Sequence, residues 1–313
     1  QKNLFDTIKA YYIGDLAEKT KLVNVDFVPN IDANGVHKGY KAEYRNIKIF
    51  LSLSHRLTIE GSLSRFVFGD NSHTIDRQTT KKAIIELCNI LGIPPKEFKV
   101  TRLDVSTIIP TTGNMKIETL KNVLGDIPRA KKWNVKNSLY WGNSQKEICI
   151  YDKTRWAKET KTDLPEILKG GEWVRVELRM LKNIDGQTKQ PKDKHVTLDK
   201  LYNSSFYGRV CDMWEKSFLS ITRQSGCLTD RKTWSKAKEG LEMYFAFLES
   251  KVSEGEKKAY IEFLLSRNPS KQERTRWRKL LKSVLEKYTE ADDTTKKIYN
   301  EFQQLIKSNK AVY

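Results

Sequence analysis

Alternation of aliphatic with charged residues, repeated in three separate segments, is what most constrains the fold of this chain. The segments are Arg102-Leu103-Asp104, Ile148-Cys149-Ile150-Tyr151-Asp152-Lys153 and Arg175-Val176-Glu177-Leu178-Arg179. Side chains alternate across a β-strand, so residues two apart share a face. Read as strands of one sheet, the segments bury Leu103, Val105, Ile148, Ile150, Val174, Val176 and Leu178. They then show Arg102, Asp104, Tyr151, Lys153, Arg175, Glu177 and Arg179 on the other face.

The charge balance says what such a face would meet. Among 313 residues, 57 are Lys or Arg and 39 are Asp or Glu, a formal charge of +18. That excess suits a polyanion, and nucleic acid is the commonest one. The 38% hydrophobic residues can support a core, so wholesale disorder is not expected. The 4 cysteines (Cys88, Cys149, Cys211, Cys227) are scattered without a Cys-x-x-Cys, which argues against a zinc finger and a disulfide framework. No stretch approaches the roughly 20 apolar residues that span a bilayer. The expected setting is a reducing cytoplasm, with no membrane partner.

Periodicity organises the rest. Strands are predicted over Lys21–Pro29, Tyr40–Ser54, Arg56–Ser62, Phe98–Ile109 and Glu172–Leu181, with a hairpin of Trp133–Trp141 and Glu147–Lys153. Helices are predicted over Thr79–Leu91, Ile117–Leu124 and Phe206–Thr222. Residues 183–194 (NIDGQTKQPKDK) read as an exposed loop. From Leu228 onward the pattern is purely helical, with helices over Lys232–Lys251, Glu254–Ser266, Ser270–Tyr288 and Thr294–Lys307. The expectation is an α+β domain over residues 1–225 and a small, basic, all-α domain over 226–313.

The polar face has the parts for phosphoryl transfer. Tyr151 offers a phenol as nucleophile, and Lys153, expected on the same face, could lower its pKa or hold a phosphate oxygen. Asp104 and Glu177 are hard oxygen ligands suited to Mg²⁺ or Mn²⁺, and Glu60 is a third candidate. Each residue also has an ordinary reading. Tyrosines are common in strands, Arg175, Glu177 and Arg179 could form a solvated ion-paired face, and Asp104 could simply pair with Arg102. No Gly-x-x-x-x-Gly-Lys-Ser/Thr occurs, so ATP use is not indicated.

The order of these clusters resembles the rolling-circle replication initiators of filamentous phages and related plasmids. That family carries an Arg-x-Asp strand, a hairpin ending in Tyr-x-Lys and an Arg-x-Glu-x-Arg strand. Here these are Arg102–Asp104, Tyr151–Lys153 and Arg175–Arg179. The stretch 59–71 (IEGSLSRFVFGDN) is similar to the family's Ser-x-x-Lys/Arg followed by Gly-x-Asn. Residues 139–142 (LYWG) look like its first hairpin strand, and the segment 198–214 resembles the helical region that follows. The likeness spans roughly residues 40–220.

The resemblance implies a nickase sheet on an antiparallel, ferredoxin-like core. It would be related to the HUH nickases but lack their His-hydrophobic-His pair; His37, His55, His73 and His195 are scattered. It places the nicking nucleophile on Tyr151 and its partner on Lys153. Metal ligation maps to Asp104 and Glu177, less surely to Glu60, and phosphate binding to Arg102, Arg175, Arg179 and Arg65. The implied activity is site-specific nicking of one DNA strand through a 5′-phosphotyrosine, starting rolling-circle replication. Duplex origin DNA and a single-stranded nick site are the implied partners. A host helicase, a host polymerase and a second copy of the chain are further candidates. The alternatives are a mobilisation relaxase and a non-catalytic DNA-binding protein. Trp133, Tyr140 and Trp141 could stack on unpaired bases, although large aromatics are more often core.

Overall fold

The computed structural model describes residues 5–14, 25–73, 75–111, 115–162, 164–191, 194–224 and 293–309. The strands are β1 (Phe5–Ile13), β2 (Val28–Ile31), β3 (His37–Tyr44), β4 (Ile47–Ser52), β5 (Arg56–Ser62), β6 (Lys99–Pro110), β7 (Lys131–Val135), β8 (Ser138–Gly142), β9 (Lys146–Asp152) and β10 (Trp173–Met180). They form one sheet in the order β2-β3-β4-β5-β1-β6-β10-β9-β8-β7. Every pairing between named strands is antiparallel. The α+β class expected from the mixture of strands and helices, and the antiparallel sheet that the resemblance implied, are therefore present.

The helices are α1 (Leu63–Phe68), α2 (Arg77–Leu91), α3 (Ile117–Val123), α4 (Lys153–Thr160), α5 (Ile184–Gln187) and α6 (Ser204–Leu219), with α7 over 293–308. Local chemistry sets their ends. The Asp76 carboxylate accepts from the Thr79 amide at 2.7 Å and opens α2, and Gly92 ends it in the left-handed region at φ 63°, where a Cβ would be strained. None of the described helices is long and apolar enough to cross a membrane.

The aliphatic face predicted from alternation is the core. Leu103, Val105, Ile148, Ile150, Val174, Val176 and Leu178 are all buried. So are Ala83, Ile84, Leu87 and Leu91 of α2 and Phe206, Val210, Trp214 and Phe218 of α6. Tyr207 of α6 meets Phe5 of β1 edge-on, with ring centroids 5.4 Å apart.

Several segments differ from their prediction. Residues 40–54 turn back on themselves at Arg45, whose φ of 55° breaks the strand into β3 and β4. Residues 133–141 likewise divide into β7 and β8, so the expected hairpin is a three-stranded meander with β9. The segment 183–194 begins with α5, which buries Ile184. The strand found near Lys21–Pro29 is β2, which starts at Val28, and residues 21–24 lie outside the described residues. The central strand β1 had no predicted counterpart.

The chain divides into two compact units, one of residues 1–118, 126–221 and 303–313, the other of 119–125 and 222–302. In the second, Gly125 donates its amide to the Thr222 carbonyl at 2.7 Å and Gln224 donates to Val123 at 2.8 Å. The boundary expected at 225/226 and the helices expected between 228 and 288 lie outside the described residues.

Candidate functional site

The strands bearing the alternating clusters are neighbours: β6, β10 and β9 lie side by side in the middle of the sheet. Directly opposed residues in an antiparallel pair share a face, so the register lays the polar face out in rows. One row reads Ser138–Tyr151–Arg175–Ile108, the next Tyr140–Cys149–Glu177–Ser106, and the next Gly142–Glu147–Arg179–Asp104. Lys9 of β1 lies opposite both Arg102 and Glu60, which extends the face outward.

Arg175 is the buried centre of this face. Its Nη2 donates to Ser106 Oγ at 2.7 Å and lies 2.6 Å from Asp6 Oδ2. Its Nε is 2.8 Å from Glu177 Oε1, and Nη1 donates to the Asn71 carbonyl. Burial works against this charge, but Asp6 and Glu177 outweigh it and hold the guanidinium protonated above its ordinary range. Glu177 is paired again by Arg179, whose Nη2 lies 2.6 Å from Oε2, and Arg179 also reaches Glu147 at 2.7 Å. Burial disfavours the Glu177 charge, yet Arg175 and Arg179 keep its carboxyl below the usual range.

Tyr151 stands on the same face as both acids, and its hydroxyl donates to Glu177 Oε1 at 3.3 Å. Burial pushes this phenol well above its ordinary pKa; Arg175 pulls against that and the Glu177 charge adds to it. The tyrosine is therefore a neutral donor with a carboxylate waiting at its proton.

Asp104 receives two bonds from Arg102, at 3.0 and 2.7 Å. Burial raises its pKa to about 6 against the pull of that guanidinium. Glu60 is held by Lys9 at 2.7 Å and stands 3.8 Å from Arg102, which already grips Asp104. Arg65 is exposed on α1. Exposure rises across the face from the Arg175 side chain at 1% through Arg179 at 24% to Arg102 at 31%. Solvent thus meets the cluster at the Arg179 and Arg102 end, where Glu147 of β9 is also 19% exposed. There a cleft of about 630 Å³ opens, lined by Lys9, Glu60, Lys99, Arg102 and Asn183 among others.

Lys153 corrects the sequence reading in one respect. It does not continue β9 but is the first residue of α4, because the Asp152 carboxylate caps the Arg155 amide at 2.8 Å. It still comes to the cluster from above the sheet. The amine is fully buried, donates to Asn71 Oδ1 at 2.9 Å and lies 3.7 Å from the Trp156 ring centroid. Burial lowers its pKa to about 7, and the Arg175 charge contributes.

The structure adds residues that sequence reasoning did not single out. Asp6 binds Arg175 and accepts from Ser62 Oγ at 2.7 Å. Asn71 ties Lys153 to Arg175, and Glu147 anchors Arg179. Glu147 was available to the alternation argument, four residues before Tyr151 on the same face; Asn71 closes the Gly-x-Asn stretch. Trp141 is core, whereas Trp133 and Tyr140 are half-buried.

Mg²⁺ commonly needs only one or two carboxylates, its other positions going to water and substrate phosphate. Among the described residues, no group of three or more acid, cysteine or histidine side chains stands ready to hold an ion. Asp104 and Glu177 are the acids on this face that could hold one, and arginines already pair both of them. Glu60, turned to Lys9, does not join them.

Residues 15–204 match the model of a phage family described as the N-terminal part of a replication-associated protein. That is well over half of the chain, and the protein belongs to this family of filamentous-phage rolling-circle replication initiators. Its role therefore lies in the initiation of rolling-circle replication. No curated protein matches the chain.

Proposed function

We propose that this protein is a site-specific DNA nickase whose nucleophile is Tyr151. The observation that carries the reading is the hydrogen bond from the Tyr151 hydroxyl to Glu177, itself held between Arg175 and Arg179, on the face opposite the core. In the proposed step, the phenolic oxygen attacks a backbone phosphorus and the bond to the 3′ oxygen breaks. Glu177 takes the phenolic proton and passes it to solvent, and the leaving 3′ oxygen takes a proton from water to become a 3′-hydroxyl. The 5′ phosphate stays on Tyr151 as a diester, so the bond energy is kept and the reverse reaction reseals the strand.

Tyr151 needs help in two ways. Its raised pKa calls for a base at the proton, the place Glu177 occupies. The phosphoryl oxygens need cations, for which Arg102 and Arg179 are the accessible candidates, while Lys153, fully buried against Asn71, acts from behind the site. Arg175 is too enclosed to meet DNA and serves to fix Glu177. Asp104 and Glu177 would hold a Mg²⁺ or Mn²⁺ ion, which when bound supplies Lewis-acid polarisation of the phosphate. Duplex origin DNA and a melted strand are the proposed substrates, and the 3′-hydroxyl is the proposed primer for a host polymerase.

The test is incubation with a single-stranded oligonucleotide spanning the replicon's origin and Mn²⁺, followed by denaturing electrophoresis. The expected result is a covalent adduct mapped to Tyr151 and lost in Tyr151→Phe. Nicking that persists in that variant, or an adduct on Tyr140, would overturn the assignment. The completeness of the ion pairing favours a second reading, a DNA-binding protein whose acids only neutralise arginines. It predicts binding with no adduct in any metal.

A further inference from the structure

The edge strand β7 is patterned the wrong way round for a strand that only covers a core. Its residues Lys131, Trp133 and Val135 stand opposite Gly142, Tyr140 and Ser138 of β8. Those three lie opposite Glu147, Cys149 and Tyr151. The polar face of the sheet therefore carries the tryptophan and the valine, while Lys132 and Asn134 take the core side beside Trp141 and Leu139. A period-two strand normally turns its apolar set inward. Here Val135 is 49% exposed and Trp133 remains half-buried. Core packing does not explain this pattern.

The aromatic arrangement has a definite geometry. Trp133 and Tyr140 are stacked with ring centroids 5.3 Å apart and planes 6° from parallel. Arg179, which holds Glu177, lies 6.0 Å from the Tyr140 ring centroid. Trp133, Tyr140, Cys149 and Glu177 form one continuous row across the sheet. Strands are spaced about 4.8 Å apart, so the Trp133 backbone lies roughly 14 Å from that of Glu177. That is a few nucleotides along a strand. Lys131 is exposed on the same face, a cation for the accompanying phosphate.

We propose that Trp133, backed by Tyr140, is a stacking platform for an unpaired base of the strand whose phosphate lies at Tyr151. The inference rests on the nicking reading for its location, but not for its chemistry. Flat aromatic rings bind bases of any identity through their π faces, while cations beside them follow the backbone. The charge pattern selects single-stranded nucleic acid over an apolar peptide: Lys131 and Arg179 flank the rings.

The test uses the full chain and needs no cleavage. Affinity for oligo(dT) is measured for the parent, Trp133→Ala and Trp133→Phe, with blunt duplex as the control. Loss of one base stack corresponds to roughly tenfold weaker binding. That loss is expected for Trp133→Ala on oligo(dT), with little change on duplex and substantial recovery in Trp133→Phe. In parallel, 2-aminopurine is moved base by base along a single-stranded origin oligonucleotide bound to the parent protein. Quenching should peak at one position, and an abasic residue there should weaken binding as much as Trp133→Ala does. Unchanged oligo(dT) affinity in Trp133→Ala, or uniform 2-aminopurine quenching, would overturn the platform. The parent measurement decides the matter if the alanine variant does not fold. A missing Tyr151 adduct alongside a positive stacking result would overturn the nicking reading and leave the platform standing.

Discussion

Replacing Arg175 by methionine should destabilise the sheet unit far more than any other single change to a charged residue on this face. The substitution keeps a long apolar stem and deletes a guanidinium that meets Asp6, Glu177, Ser106 and Asn71. Its neighbours are not equally exposed to the loss. Glu177 keeps Arg179 at 2.6 Å, whereas Asp6 keeps only the Ser62 hydroxyl among its described hydrogen bonds. Removing one member of a buried pair costs about 3–5 kcal/mol, mostly as the penalty on the charge left behind. For a unit of this size that is a fall in melting temperature of about 6–20 °C. Urea unfolding followed by circular dichroism measures it, with the slope against urea expected to stay constant. Asp6→Asn added to Arg175→Met should restore part of the loss, because it removes the stranded charge. By contrast, Glu60→Gln breaks a pair whose side chains are 36% and 42% exposed and should cost under about 1 kcal/mol. A Glu60→Gln effect as large as that of Arg175→Met, or no recovery in the double variant, would refute the view that this face is organised around a buried cation.

The remaining expectations concern titration and packing. The Asp104 carboxyl has a folded-state pKa of about 6, above its unfolded value near 3.9. The folded state thus binds more protons between those limits, and stability falls as pH rises from about 4 to 6. In metal-free buffer, Asp104→Asn should remove this loss, about 3 kcal/mol, from the pH dependence of urea unfolding. Lys153 runs the other way. Its pKa of about 7 lies below the unfolded value near 10.4, so the unfolded state binds more protons and stability rises from about pH 7 to 10. Lys153→Met should abolish that rise. Trp141→Ala should cost about 3–5 kcal/mol because its side chain is core, whereas Trp133→Ala should cost under about 1.5 kcal/mol; thermal melts of the two variants compare them directly.

What could be read from the sequence followed from period-two alternation, and what could not followed from places where that period breaks. The aliphatic and charged faces of β6, β9 and β10 were legible because each strand keeps its alternation across the cluster. Strand β1 was not. Its pairing with β6 slips between Phe5 and Ile8 and again between Lys9 and Ala10. Phe5 and Ile8, three residues apart, are both buried, so the alternation of Ile8, Ala10 and Tyr12 breaks before it reaches Phe5. Asp6 sits inside that irregularity, so the principal counter-ion of Arg175 was hidden by the same slip that lets it reach the cluster. Lys153 was placed near the right neighbours for the wrong local reason. The alternation ending at Tyr151 continued to it, but Asp152 is a helix cap, and whether an aspartate caps or continues a strand depends on the backbone beyond it. The aromatics show the limit from the other side. Tyr140 and Trp141 are adjacent and equally able to stack on a base by composition. Only the pairing of β8 with β9 sends Trp141 into the core with Ile148 and turns Tyr140 toward Cys149. Residue type therefore offered several candidates for the proposed contacts with phosphate and bases, while register decides which of those side chains share a face.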